Sequence, residues 1–372
     1  MIKSTNFKKL AIYFLTAIIC CFSITGCSST PKTTETIGEG SEYVVIHSRA
    51  REKSGGVFCI DNNGNIVNQI SKFDMQDLSF FSFDENNLLI CGGRSNNNIR
   101  FDLSKNGAYS EINWLNEPNY SGVTGIKLNG NSALVVMNGN YTDETYLNLV
   151  VEQDFQGNVI HQNIIEIYCR DIALQSNDAL IAGKCLKKNS GERTWEASII
   201  KYDILNQAIK KQDNYGQYNC FWEIELNNGL YYCLAEDKNE LKNIVCVIDP
   251  ETNTVLHEIK LDDQLTGLEI YNDEVFVVGN NGIYKMMPEQ RCEKIVDIGC
   301  PENAYVNWAY TYDGSYYVFA RLQQRESIKG GYHYGDVFKI DLDTLEKKST
   351  PIKQNKDITM DDILIFPAHM FN

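Results

Sequence analysis

Ser79, Thr124, Arg170, Trp222, Thr266 and Trp308 fall at one register of six apolar, strand-like segments. Asp171 and Glu223 directly follow Arg170 and Trp222. An Arg, two Trp and two carboxyls at a channel mouth could hold a sugar or a peptide: flat rings stack on ligand faces, and a few polar groups fix orientation. Tyr120, Tyr218 and Tyr305 fall near the same register, with Tyr168, Asn219 and Asn307. Replacing Trp222 and Trp308 by Ala is expected to abolish binding and spare the fold. Asp171 and Glu223 could also pair as general acid and base on a glycoside, which needs carboxyls about 5–9.5 Å apart. The five histidines are scattered with no nucleophile motif nearby, and no Gly-Lys-Ser/Thr loop cradles phosphate. Asp61-Asn62-Asn63-Gly64-Asn65 lacks the distal bidentate Glu of a calcium loop and reads as a turn. No Cys-x-x-Cys and no His pair at zinc spacing occurs. Neither a metal nor a cofactor is expected.

The N-terminus addresses the chain to a membrane. Lys3, Lys8 and Lys9 precede an apolar run, Leu10 to Ile24, and then Ile24-Thr25-Gly26-Cys27. A basic start, a short apolar core and small residues mark a secretory signal. The run is about 15 residues, short of the roughly 20 that cross a bilayer. Ile24 to Cys27 resembles a bacterial lipobox. The resemblance implies cleavage before Cys27 and a diacylglyceryl thioether on its sulfur, with palmitate-type chains holding the protein on the extracytoplasmic face of the cell membrane. Residues 28–41 are mostly Ser, Thr, Pro, Lys, Gly and Glu and read as a flexible tether. The division is therefore 1–26 signal peptide, 27–41 lipidated Cys and tether, and 42–372 globular domain.

Residues 1–27 hold three lysines and no acid, so the remainder carries 31 basic and 49 acidic side chains, a formal charge of −18. Such a surface repels nucleic acid and anionic lipid headgroups. Anchoring must then come from acyl chains, each buried methylene giving about 0.8 kcal/mol. Nine cysteines follow Cys27, an odd number, and most sit in apolar runs such as Leu89-Ile90-Cys91. They read as small buried hydrophobes rather than a disulfide framework.

From Tyr43 onward the chain repeats one unit. An apolar strand ends in Asp at Asp61, Asp102, Asp154, Asp203, Asp249 and Asp341, and Gly282 to Met286 is a degenerate copy. Steps between these anchors are 41, 52, 49, 46, 37 and 55 residues. That spacing fits four-stranded propeller blades of about 40–50 residues. A hairpin precedes each anchor, with Asn, Asp or Gly in the turn, residues that tolerate positive φ. Its second strand is a continuous apolar run, as in Val275-Phe276-Val277-Val278, the pattern of a strand buried on both faces. The first unit lacks an opening strand, and Asp362 to Phe366 is left over at the end. Supplying one from the other closes the ring without an open edge. The expected fold is all-β: a seven-bladed propeller of four-stranded antiparallel blades closed by its N- and C-terminal strands, with six and eight blades as alternatives.

Ile244 to Val255 with Glu258 to Leu261 resembles the YVTN-type propeller repeat, and Val337 to Lys347 is a looser copy. The resemblance implies fold and leaves activity open. Connections between second and third strands are long at Asn138–Tyr146, Gly183–Ala197, Ala235–Asn243 and Arg321–Asp336, and all open on one face. Gly330 to Gly335 within the last reads as a flexible aromatic loop. Binding concentrates on such loops. The chain thus reads as a lipid-anchored, non-catalytic binding module or scaffold for a protein, peptide or glycan. The alternative is a propeller hydrolase or lyase acting on a cell-surface or environmental polysaccharide.

Overall fold

The computed structural model describes residues 40–371 apart from 95–96, 114–118, 121, 141, 143–144, 190–191, 330 and 356–359. Cys27 and most of the tether lie outside the described residues. Seven four-stranded antiparallel sheets form a ring of blades. The inner strands, in blade order, are Asp362–Pro367, Leu78–Phe83, Val123–Asn129, Tyr168–Gln175, Cys220–Asn227, Leu265–Tyr271 and Ala304–Tyr312.

Apolar pattern dictates the stacking. The second strands Tyr43–Ser48, Asn87–Gly92 and Ser132–Met137 are buried along their whole length. Blade faces press on both sides of them, so each lacks the usual polar alternation. Outer strands such as Ala208–Tyr215 are largely exposed. The degenerate sixth unit still supplies a third strand, Gly282–Met287, and an outer strand, Arg291–Asp297.

Anchor aspartates cap the turn that follows them. Asp61 Oδ1 accepts from the amides of Asn63 (2.9 Å) and Asn65 (2.8 Å), and Asp154 Oδ1 from those of Gln156 (2.9 Å) and Asn158 (2.8 Å). Asp203, Asp249 and Asp341 do the same. Hydrogen bonds to the ionised form hold these carboxyls below the usual range. Gly64 shows why the first turn needs glycine. Its φ is +72°, and a Cβ there would meet Pro351 O of blade 7 at 1.8 Å. The two YVTN-like segments share one turn geometry: Asn253 N donates to Asp249 O (2.7 Å) and Leu345 N to Asp341 O (2.8 Å).

The two chain ends meet in blade 1, where Asp362–Pro367 pairs antiparallel with Tyr43–Ser48. Blade 7 grips this closing strand through its backbone carbonyls. Trp308 Nε1 donates to Ile363 (3.0 Å), Tyr310 Oη to Ile365 (2.8 Å), Tyr334 Oη to Asp361 (2.5 Å) and Arg325 to Met360 (2.6 Å). The 3-10 turn Ala368–Phe371 then folds inward, and Phe371 is buried edge-on against Phe101 of blade 2. One apolar cluster runs through blades 7, 1 and 2.

Two expected loops are strands. Gly183–Ala197 lies in the hairpin of Asp178–Asn189 and Glu192–Asp203, paired from Lys184 opposite Ala197 to Asn189 opposite Glu192. Arg321–Asp336 lies in Ser315–Ile328 and Gly331–Asp341, whose pairing resumes at Glu326 opposite His333. Gly331 to Gly335 is therefore ladder, and Gly330 lies outside the described residues. β-formers extend the first arm: Leu186 faces Trp195, and Lys184 Nζ lies 4.6 Å from the Trp195 ring. Ala235–Asn243 shrinks to the turn 237–241, capped by Asp237. The cysteines of the described chain are thiols, seven of them buried. Among the described residues no helix is long and apolar enough to cross a membrane.

Candidate functional site

Six inner strands share one irregularity. In each, two residues face one on the neighbouring strand, and the extra residue is Ser79, Thr124, Arg170, Trp222, Thr266 or Asn307. A bulge of this kind leaves its extra residue outside the ladder and re-aims it. Five of these residues belong to the register read from the sequence. In blade 7 the bulge is Asn307, one residue before Trp308. These six residues line one open cavity of about 820 Å³ at the ring's centre.

Trp222 is the focus of the mouth. The Arg170 guanidinium sits 4.0 Å from its ring centre and Lys242 Nζ 4.8 Å, while its indole N–H donates to Glu236 (2.8 Å). Arg170 also lies 4.7 Å from the Tyr168 ring. Among the described residues neither Arg170 nor Lys242 has a carboxylate at ion-pair distance, and Arg170 Nε is buried without a hydrogen-bond partner. Burial, offset in part by Glu223, and then the Arg170 charge lower the Lys242 ammonium below its usual range. By contrast, Arg94 on the same cavity wall is paired with Asp77 at 3.0 Å.

Asp171 and Glu223 occupy equivalent positions just past the bulge and staple blades together. Asp171 Oδ2 accepts from Ile224 N of blade 5 (2.9 Å), and Glu223 Oε2 from Leu268 N of blade 6 (2.5 Å). Burial raises both carboxyls, Glu223 well above the usual range. The equivalent residues in blades 2 and 7 are Phe80 and Trp308.

Three residues past the bulge lie Ser82, Lys127, Ala173, Glu225, Glu269 and Tyr310, about 10 Å farther along the strands at 3.3 Å per residue. Lys127 Nζ stands 3.8 Å from Glu225. Burial alone would lower the lysine, but Glu225, Asp171, Glu269 and Glu223 together raise it. Glu269 accepts from Thr311 Oγ1 (3.2 Å). Burial and then the Glu225 charge push Glu269 up to about 8. The Lys127 and Glu225 side chains remain 36% and 26% exposed, so water reaches this layer and tempers each shift.

Arg170, Asp171, Trp222, Glu223 and Trp308 all line the cavity. Trp308 is nevertheless buried, stacked on Tyr310 at 5.6 Å and tied to the closing strand. The paired Trp replacement therefore perturbs ring closure together with the mouth. Tyr120 packs between blades 2 and 3, Tyr218 is buried with its hydroxyl on Glu258 (2.6 Å), and Tyr305 pairs with Arg321 in blade 7. None of the three lines the cavity. Lys127, Glu225, Glu269 and Lys242 do, and sequence reading missed them. Lys127, Glu225 and Glu269 each stand three residues after an aligned position, a spacing that plain strand alternation turns away from the channel and the bulge turns toward it.

No family model matches the chain, and no curated protein sequence matches it. Solved structures match in fold. The dihydro-heme d1 dehydrogenase NirN in complex with DHE superposes with a TM-score of 0.50 at 9% identity, covering 93% of this chain and 79% of that one. The Neurospora crassa Pan2 WD40 domain gives 0.48 at 10% identity over 75% and 78%. Apo AztD from Citrobacter koseri gives 0.44 at 9% over 88% and 98%. At these identities the likeness concerns the course of the chain and no site.

Proposed function

We propose that this protein is a lipid-anchored binding module, held on the extracytoplasmic face by a thioether at Cys27, whose propeller takes a ligand into the channel mouth. Residues 1–26 act as the signal and 27–41 as the tether. The anchor rests on the lipobox-like Ile24 to Cys27, and the YVTN-like segments are consistent with the ring. One observation carries the binding role. Arg170 and Lys242 flank Trp222 at the rim of an open channel, neither with an ion-pair partner among the described residues. Two cations on an aromatic platform, with Glu223 acting on Lys242 only from beyond ion-pair distance, suit a ligand with a flat or anionic group. The test has two parts. Cys27→Ser should move the protein out of the membrane fraction; retention there contradicts the anchor. Trp222→Ala should abolish ligand capture at unchanged thermal stability; unchanged capture contradicts the site.

The raised carboxyls Glu223 and Glu269 favour a second reading, a hydrolase or lyase, because protonated acids in a channel suit general acid catalysis. Against it, Asp171 and Glu223 each spend an oxygen on a neighbouring blade's amide. Turnover of an extracellular polysaccharide that vanishes in Glu223→Gln would establish the enzyme.

A further inference from the structure

We propose that the channel takes a short peptide with its free ammonium inward, against Glu225 and Glu269, and its carboxylate at the rim, against Arg170 and Lys242. The proposal rests on the binding reading above and names its ligand class.

Charge is segregated along one cavity. At the rim, two cations lie against Trp222 without an ion-pair partner among the described residues. A guanidinium stacked by its face keeps its N–H edges for a carboxylate. Deeper down, one ammonium, Lys127, faces Glu225, Asp171, Glu269 and Glu223, and only Glu223 also has Lys242 near it. The inner layer is short of positive charge, and Glu269 responds by holding its proton toward neutral pH.

Among the described residues no three His, Cys, Asp or Glu converge to hold a metal ion, so an organic cation fits better than a divalent one.

Length selects the peptide. The rim and the inner layer are three residues apart along the strands, about 10 Å. An extended tripeptide spans about 10 Å between its ends. Its amides and small side chains fit a cavity of about 820 Å³.

The test is calorimetric titration of the full-length protein in detergent with trialanine, N-acetyl-trialanine and trialanine amide. Trialanine should bind, and each capped form at least tenfold more weakly. Arg170→Gln should weaken trialanine and leave the amide unchanged, because the amide has no carboxylate to lose. Glu269→Gln should weaken trialanine and leave the N-acetyl form unchanged. The capped ligands act on the native protein, so the result stands even where a variant folds poorly. Equal affinity for N-acetyl-trialanine and trialanine overturns the proposal. Maltotriose distinguishes the two readings. Its capture, lost in Trp222→Ala, with trialanine inert, refutes the peptide and leaves the binding module intact. Trialanine inert and Trp222→Ala without effect on any ligand refutes both.

Discussion

The inner wall of the ring has two unlike arcs. In blades 7, 1 and 2 it is aromatic: Phe81 packs on Phe366 at 5.3 Å and on Tyr310 at 5.5 Å, and Trp308 stacks on Tyr310 at 5.6 Å. In blades 3 to 6 the positions one and three past the bulge carry Lys127, Asp171, Glu223, Glu225 and Glu269, beside Gly125, Ala173 and Gly267. The bulge is common to blades 2 to 7, and only the closing strand of blade 1 pairs without one. The difference follows from covalent connectivity. Each blade from 2 to 7 is made of consecutive strands, whereas blade 1 borrows its inner strand from the far end of the chain. Closing that long loop carries an entropic cost, and aromatic burial with four side-chain hydrogen bonds offsets it. The opposite arc faces no such demand and can carry charge that favours a ligand over stability.

The largest expected effect breaks the closure. A chain ending at Asp361 leaves blade 1 with three strands and its edge open, and should lose its cooperative melt by circular dichroism. Phe366→Ala should follow, at about 3–5 kcal/mol by urea denaturation, the usual cost of emptying a buried aromatic site. A retained melt in the truncated chain would place the closure elsewhere.

The arcs should also respond oppositely to pH. Burial holds His47, in blade 1, down to about 4 from 6.5. A depressed folded value means that its contribution is complete above about pH 6.5 and is lost as pH falls through 4. His47→Leu should therefore reduce the acid sensitivity of the melting temperature across that window. Glu269 is raised to about 8. Its stability contribution is complete below about pH 4.5 and is lost as pH rises through 8. Glu269→Gln should raise the melting temperature relative to the native protein at pH 9 and leave it unchanged at pH 4.5. The reverse ordering would contradict the charge surplus. The smallest effect belongs to the turn caps. Asp203→Ala should lower the melting temperature slightly at pH 7, and the difference should begin to shrink only as pH falls below 3.8, the unfolded carboxyl's value, because the folded cap stays ionised well below it.

Much of the fold was legible. The anchor aspartates work as punctuation because one carboxylate can bind two or three turn amides, and doubly buried second strands show in Leu88 to Cys91 and Val275 to Val278. Even the closing strand showed, as a surplus at Asp362 to Phe366. The hairpin arms did not, because Lys187 and Thr194 are as polar as loop residues and only pairing reveals them. The site was legible at its rim and hidden one layer down. A bulge reverses strand parity, so which residue after Trp222 faces the channel depends on an extra residue that only the ladder discloses. The same effect shifted blade 7 by one, from Asn307 to Trp308.

Trp222 and Trp308 set the two arcs side by side. Urea denaturation of Trp222→Ala and Trp308→Ala measures the division of labour directly. Trp308→Ala should lose about 3–5 kcal/mol and Trp222→Ala no more than about 1 kcal/mol, as expected for a buried clasp and a solvated platform. Equal losses, or a greater loss at Trp222, would contradict the account.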